Sequence, residues 1–445
     1  MLLKKLTKLI FAIFIIIGIF FGIKLSIQKS NPENSKNEIL ENVFQDVQDI
    51  EVEISKTYTY GKAINIFGKL ENISKDNFEN AKLVVRDGKG YEKSYNLNYV
   101  LEKETKTLYF STDNNMNNGV VLDELDVGEY YLLLRIKTNN SINPKFYSLM
   151  PTKALKEEMD IEYYSVSKDG KSKKIIPSYE EIKYKDENIT YLSLKVEETD
   201  CPENVYDIVI DAGHGGKDSG EVKDGVSEAN VVLEYAEKLK TLLEEKGYRV
   251  KLTRDSENTN TYTTTNMYDD NGRITIANES NAKLMISLHI NNDQNAGLRG
   301  IEVYSPPKSN LDFAKVLAKN IVENTPLEFS NNNSYKKADG VYVRNFYTAL
   351  IKTYEERANK AGYAPYNINT DTPYLYTIRE VGGIATNAFV DGRNTSYGAN
   401  KYVKSCMGIE CYQIELGYIK NDLDIIRNDM DKICEQITKT INENY

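Results

Sequence analysis

The chain has 445 residues, a formal net charge of −10 and a charged-residue content of 27%. This length provides for two or three domains with their own cores. The acidic balance argues against a nucleic-acid binder, which usually presents a basic face. It also argues against electrostatic adhesion to anionic lipid or wall polymer as the means of holding the protein at a surface.

The N-terminal segment has the composition of a membrane anchor. Residues 1–8 form a basic tail, and residues 9–27 are apolar apart from Lys24 and one serine. The run is somewhat short for a bilayer, which needs about 20 residues, but the flanking lysines can extend it by snorkelling. Since no convincing small-x-small cleavage site follows, an uncleaved single-pass anchor is favoured over a cleaved signal. The lysines predict a cytoplasmic N-terminus and an extracytoplasmic body on the cell-wall side of the cell membrane.

Three regions separate this anchor from the C-terminal half. Residues 28–45 are polar and are interpreted as a solvated linker. Residues 46–150 contain short strand-like runs between turns, which predicts a small all-β, sandwich-like domain. This domain has no His or Cys, and its role as a spacer or as a module that binds wall polymer or a partner stays open. Residues 151–204 are charged and irregular, with strand-like pieces at 161–166 and 191–196, and are interpreted as a connector.

Strand and helix patterns alternate across residues 205–445. Strands are predicted at 205–210, 249–253, 284–290, 300–304 and 408–416, and helices at 228–246, 271–280, 311–324 and 423–442. This alternation predicts an α/β domain with an open, mostly parallel sheet and helices on both faces. In such sheets, functional sites form at the carboxyl ends of the strands.

The only two histidines of the chain, His214 and His289, each follow an apolar run that predicts a buried strand. Catalytic zinc takes three protein ligands and leaves one position open, so a carboxylate must complete a site with two histidines. Glu228, at the start of the next helix, is the best candidate, although the helix dipole alone would also favour a glutamate there.

Glu415 interrupts an apolar strand, Tyr412-Gln-Ile-Glu-Leu-Gly-Tyr-Ile419. A charged residue in such a strand is either paired or functional. Burial would raise its pKa towards neutrality, which suits a group that takes a proton from water and returns it to a leaving amine. We therefore interpret Glu415 as a candidate general acid/base.

These segments resemble the zinc-dependent N-acetylmuramoyl-L-alanine amidases, the type 3 amidases of bacterial cell walls. The resemblance covers residues 205–445 and includes Leu252-Thr-Arg-Asp255 and Arg273-Ile-Thr-Ile-Ala-Asn278. It implies one Zn²⁺ per chain, held by His214, Glu228 and His289, with Glu415 as the catalytic acid/base. It also implies a peptidoglycan substrate, cut at the amide between the lactyl group of N-acetylmuramic acid and L-alanine, in cell-wall remodelling or autolysis.

The chain departs from compact members of that family by a long insertion at residues 326–405. Insertions beside an active site are usually lids, binding loops or disordered segments. Arg379 and Arg393 within it, and Asn291 at the end of the second histidine strand, are the candidates for substrate contact. Structural elaboration and autoinhibition remain open as alternative roles of the insertion, and a regulatory partner is not identified by the sequence.

Two other functions compete with an amidase. The first is a non-catalytic or autoinhibited protein that binds the cell wall or regulates an enzyme, which a missing ligand would have favoured. The second is a different zinc hydrolase, and the absence of an H-E-x-x-H helix counts against the common type.

The four cysteines leave the redox state open. Cys201, Cys406, Cys411 and Cys434 form no C-x-x-C pair, which makes a cysteine zinc knuckle an unfavoured interpretation. A small loop closed by Cys406 and Cys411 and a set of four free thiols are both compatible with the sequence.

Overall fold

The computed structural model describes residues 32–44, 46–73, 78–112, 119–158, 161–167, 170–184, 187–255, 268–294, 297–362, 368–388, 402 and 405–445. The anchor predicted at residues 9–27 lies outside these ranges. Within them, no helix has both the length and the apolar character needed to cross a membrane.

The N-terminal part, which we call the β domain, consists mainly of strands. Its elements are α1 (Pro32–Phe44), β1 (Val47–Tyr60), β2 (Ala63–Leu70), β3 (Phe78–Arg86), β4 (Glu92–Asn96), β5 (Asn98–Glu102), β6 (Thr107–Ser111), β7 (Val120–Val121), a 3₁₀ turn (Leu122–Glu124), β8 (Gly128–Thr138), β9 (Lys145–Pro151), α2 (Lys153–Glu158), β10 (Tyr163–Tyr164), β11 (Lys171–Tyr184) and β12 (Glu187–Asp200). The main path of the sheet is β10-β11-β12-β8-β9-β1-β2-β6-β5, with β3 and β4 branching from β8 and β7 from β2. Neighbours are antiparallel except β1 and β9, which are parallel.

Two segments that were expected to be irregular belong to this domain. The predicted connector, residues 151–204, instead supplies β10, β11 and β12, and β11 pairs with β12 along its full length. Charged residues are frequent along both strands of this hairpin, so the apolar alternation that marks a strand is short. The predicted linker, residues 28–45, contains α1, whose Val43 and Phe44 are fully buried. The four-residue spacing of Leu40 and Phe44 was the signal for that helix.

The C-terminal part is the α/β domain. Its elements are β13 (Ile208–Ala212), β14 (Val222–Lys223), β15 (Val226–Ser227), α3 (Glu228–Glu244), β16 (Val250–Leu252), α4 (Arg273–Glu279), β17 (Leu284–Asn291), β18 (Glu302–Tyr304), α5 (Asp312–Asn324), β19 (Lys336–Ala338), β20 (Val341–Tyr342), α6 (Thr348–Ala361), α7 (Tyr376–Val381), β21 (Met407–Gly408), β22 (Glu410–Tyr418), α8 (Ile419–Asn428) and α9 (Met430–Asn444). The single final helix predicted at 423–442 is thus two helices.

The expected α/β architecture is confirmed as a mixed sheet of order β16-β13-β17-β22-β18-β20-β19. The four strands from β16 to β22 are mutually parallel, and β18 runs antiparallel to β22. One face packs against α3, α5, α8 and α9, and the other packs against α4 and α7. Parallel strands covered on both faces are apolar along their whole length, which explains the continuous apolar sequences around both histidines.

The insertion at residues 326–405 contributes to this sheet and to one of its faces. It supplies β19 and β20 at the edge, the helix α6, and α7, whose Ile378 and Val381 pack against the sheet. The chain then returns through β21, which pairs in parallel with β1 of the β domain, and enters β22.

Cys406 and Cys411 lie as free thiols in this return segment. Cys406 packs in the core of the β domain, whereas Cys411 is in β22 and packs against α4 and α7. The two side chains therefore belong to different cores, and the small disulfide loop considered from the sequence is not formed.

Candidate metal centre and active site

The loop after β13 presents His214 from a constrained backbone. His214 has a left-handed φ of 59°, a conformation that is uncommon for residues other than glycine. Gly213 precedes it, and a Cβ on this glycine would lie 2.4 Å from Cε1 of the His289 ring. The close approach of the two histidines therefore requires glycine at position 213.

Two buried arginines hold this loop by hydrogen bonds to its backbone carbonyls. Arg254 donates to the carbonyls of Ala212 (2.9 Å) and Gly213 (2.8 Å). Arg273 donates to the carbonyl of His214 (2.6 Å) and forms a fully buried ion pair with Asp211 at 2.9 Å. Since loop carbonyls that face inwards need donors, the arginines of the two supporting sequence segments fix the backbone that presents His214.

Glu228 is the first residue of α3 and is only 2% exposed. Its Oε2 accepts from the backbone N–H of Glu221 (3.1 Å), and its Oε1 accepts from that of Ile290 (2.8 Å). These bonds orient the carboxylate towards the two histidines. The helix N-terminus stabilises the negative charge, but the contacts show that the carboxylate does more than cap a helix.

Three donor atoms converge at the carboxyl edge of the sheet. Nε2 of His214 lies 3.0 Å from Oε1 of Glu228, and Nδ1 of His289 lies 3.2 Å from the same oxygen and 3.3 Å from Nε2 of His214. Bond lengths of about 2.0–2.1 Å in a tetrahedral zinc site put ligand atoms about 3.3 Å apart. The observed triangle therefore has the size of one face of such a site.

The surrounding groups also suit a cation. Nδ1 of His214 lies 3.0 Å from the carboxylate of Asp218, the arrangement that fixes the tautomer of a metal-bound histidine and leaves Nε2 free to bind. Burial disfavours a charge on His214, but the hydrogen bonds and charges of Glu228 and Asp218 prevail and raise its pKa to about 9. Burial raises the pKa of Glu228, but the hydrogen bonds and charges of the two histidines outweigh this effect and lower it. The cluster thus stabilises positive charge at the point where its donor atoms meet.

Glu415 lies beside this cluster on the next strand. It is the register partner of His289 on β17 and of Glu302 on β18, so the three side chains project from the same face of the sheet. Burial, opposed by His289 and reinforced by Glu228, raises the pKa of Glu415 to about 7. One of its oxygens accepts a hydrogen bond of 2.8 Å from Nε2 of Gln413. A carboxyl group with this pKa can both take up and release a proton near neutral pH.

The sequence reasoning missed Glu302, which is fully buried next to Glu415. Its carboxylate accepts hydrogen bonds from Asn291, Tyr304, Ser330, Asn332 and Tyr418. The signal was present, because Ile301-Glu-Val303 interrupts an apolar strand with a charge, as the sequence around Glu415 does. Asp218, which orients His214, was also missed and carried no comparable signal in its polar loop.

The three candidates for substrate contact have different placements. Asn291 lies at the end of β17 and donates to Glu302 over 3.2 Å, so it belongs to the polar wall of the site. Arg379 is buried in α7, where it donates to Glu380 and to the carbonyls of Pro373 and Tyr374. These bonds give Arg379 a role in holding the insertion together. Arg393 lies outside the described residues.

Residues 208–354 match the sequence family described as N-acetylmuramoyl-L-alanine amidase. This part of the α/β domain matches the type 3 amidase family. This finding confirms the resemblance noted in the sequence. The matched segment contains His214, Glu228 and His289 and ends before Glu415.

The chain is also similar to individual amidases. An endolysin of Bacillus phage SPP1 is 29% identical over 188 residues, which are 42% of this chain and 55% of that protein. The germination-specific N-acetylmuramoyl-L-alanine amidase of Bacillus subtilis is 38% identical over 90 residues, which are 19% of this chain and 38% of that protein. This chain therefore spans about half or less of the length of these relatives. Among solved structures, the amidase AmiC2 of Nostoc punctiforme is 22% identical, with a TM-score of 0.30 over 55% of this chain and 98% of that chain.

Proposed function

We propose that this protein is a peptidoglycan hydrolase that cleaves the amide bond between N-acetylmuramic acid and the L-alanine of the stem peptide. The observation that carries the proposal is the convergence of His214, Glu228 and His289 beside a protonatable Glu415. The match to the amidase family supplies the class of bond. All four side chains are present, which favours an enzyme over a wall-binding protein without activity.

The proposed cofactor is one Zn²⁺ held by His214, Glu228 and His289. Zinc in such a site acts as a Lewis acid, which acidifies water and polarises the carbonyl of the bond to be cut. The carboxylate of Glu415 takes the proton from the attacking water, and the resulting carboxylic acid delivers it to the leaving amine of L-alanine. Asp218 and the N–H groups of Glu221 and Ile290 keep two of the ligands oriented throughout.

The proposed location is the outer side of the cell membrane. It rests on the composition of residues 9–27 and the basic tail before them. The acidic net charge provides no attraction to anionic wall polymers, so an anchor explains how the enzyme stays next to its substrate.

The test uses the full chain in detergent micelles, loaded with zinc, and a Glu415→Gln variant. Both are incubated with purified peptidoglycan, and mass spectrometry detects stem peptides that begin with L-alanine. We expect release by the parent and by a Glu328→Gln control, whose side chain is 67% exposed, but not by Glu415→Gln. Stoichiometric zinc without release by the parent would refute the enzymatic proposal for the intact chain.

A further inference from the structure

The insertion reaches the proposed acid/base through two hydrogen bonds. Oγ1 of Thr377 in α7 lies 3.1 Å from Oε1 of Gln413, and Nε2 of Gln413 lies 2.8 Å from Oε1 of Glu415. Thr377 is fully buried and Gln413 is 7% exposed. The chain Thr377–Gln413–Glu415 therefore connects a helix of the insertion to the reacting group within the protein interior.

We propose that Thr377 and Gln413 are positioning residues for Glu415, with Thr377 holding the Gln413 side chain in place and Gln413 setting the orientation of the Glu415 carboxyl group. This inference rests on the proposed function, because it assigns a role to two residues through Glu415. It gives the insertion a part in catalysis that requires no contact with substrate.

The argument follows from the donors and acceptors that are present. A glutamine side chain has a donor end and an acceptor end, and only its NH₂ end can bond a carboxylate. If the amide turned over, its oxygen would face the oxygen of Glu415, and two acceptors would meet in a buried site. The Thr377 hydroxyl donates to Oε1 of Gln413 in the observed orientation, so it anchors the end of the amide that faces away from Glu415, while the carboxylate selects the NH₂ end.

The position of Thr377 is itself fixed by its own helix. Arg379 donates from Nη1 to the carbonyls of Pro373 (3.0 Å) and Tyr374 (2.8 Å), at the start of α7. Thr386 donates to the carbonyl of Arg379 over 2.6 Å, after the helix ends. These bonds fix both ends of α7 within the insertion, and Ile378 and Val381 pack the helix against the sheet, so the hydroxyl of Thr377 is presented at a fixed point.

The orientation of Glu415 matters because proton transfer is geometrically demanding. An acid/base must lie within hydrogen-bond reach of the proton that it moves, directly or through one water. The bond from Gln413 occupies Oε1 and leaves Oε2 as the oxygen that exchanges the proton. We call the hydrogen-bonded chain Thr377–Gln413–Glu415 the relay. Loss of the relay lets the carboxyl group of Glu415 rotate, which lowers the rate of the chemical step and leaves substrate binding unchanged.

The test is kinetic and uses isosteric variants of the full zinc-loaded chain. Thr377→Val removes the hydroxyl and keeps the shape, Thr377→Ser keeps the hydroxyl, and Gln413→Met removes both ends of the amide. We expect Thr377→Val and Gln413→Met to lower kcat by roughly tenfold with KM unchanged, as for loss of one buried hydrogen bond. Thr377→Ser should restore most of kcat. The matched control is Thr438→Val, which removes another buried hydroxyl, from α9.

The double variant Thr377→Val/Gln413→Met separates a relay from two independent effects. If Thr377 acts through Gln413, the double variant has the kcat of Gln413→Met alone, because coupled residues are not additive. Multiplied losses would overturn the relay, and so would equal kcat values for Thr377→Val and Thr377→Ser.

A readout without turnover distinguishes failure of the relay from failure of the proposed function. Selective ¹⁵N-glutamine labelling, assigned with Gln413→Met, reports the side-chain amide protons of Gln413 by nuclear magnetic resonance. We expect one proton to be protected from exchange in the parent and in Thr438→Val, and exposed to exchange in Thr377→Val. Protection in an inactive parent would support the relay while refuting the enzyme, and exchange unaffected by Thr377→Val would refute the relay in an active one.

Discussion

Replacement of Glu415 by glutamine should make the metal-free protein more stable at alkaline pH. Burial holds the pKa of the folded-state carboxyl at about 7, against an ordinary value of 4.5. Since one pH unit corresponds to about 1.4 kcal/mol, this difference is worth about 3 kcal/mol. Glutamine has the same shape and can accept the same bond from Gln413, but it carries no charge to bury.

The sign of the effect follows from the two ionisation steps. Below the unfolded-state pKa the carboxyl is neutral in both states, so parent and variant differ by an amount that does not depend on pH. Between about 4.5 and 7 the unfolded chain loses its proton while the folded chain retains it, and the parent loses stability relative to the variant. Above about pH 7 both states of the parent are ionised, and the difference levels off at about 3 kcal/mol.

The assay is urea unfolding of chelator-treated parent and Glu415→Gln protein at a series of pH values from about 4 to 9. The exposed Glu328→Gln variant serves as the control and should follow the parent throughout. A parent-minus-variant difference that stays constant over this range would show that Glu415 is solvated in the folded protein, and it would remove the physical basis of its role as an acid/base.

Two further substitutions test how the site is built. Gly213→Ala places a methyl group 2.4 Å from the His289 ring. We therefore expect the affinity for zinc, measured by competition with a chromogenic chelator, to fall by more than about tenfold. An unchanged affinity would contradict the close packing of Gly213 against the ring. Arg273→Met breaks the buried pair with Asp211 and should lower the free energy of unfolding by about 3–5 kcal/mol, whereas the exposed Arg299→Met should cost less than about 1 kcal/mol. Equal losses in the two arginine variants would contradict the assigned burial.

The sequence predicted the elements around the site well, for a physical reason. Strands such as β13 and β17 are covered by helices on both faces, so they read as uninterrupted apolar runs. Both histidines interrupt or follow such a run, and they have no competitors elsewhere in the chain. Glu415 could be recognised from the sequence for a similar reason, because it is a charged residue inside an apolar strand.

The elements that were missed depend on contacts made elsewhere in the chain. The β11–β12 hairpin is stabilised by the pairing of β12 with β8, although many of its own side chains are charged. Thr377 carries no local signal, because its hydroxyl becomes significant only when α7 packs against β22. The pairing of β1 with β21 joins residues more than three hundred positions apart, which no local pattern encodes.

That pairing adds a third role to the two considered for the β domain. Thr59 donates to the carbonyl of Cys406 (2.7 Å) and Gly61 donates to that of Gly408 (3.0 Å), directly before β22 begins. The buried Lys283, directly before β17, lies against the ring of Tyr163. The β domain thus contacts the amino ends of the two strands whose carboxyl ends carry His289 and Glu415. A spacer on a flexible linker would make no such contacts, so these interactions favour a domain that fixes the strands of the active site in place.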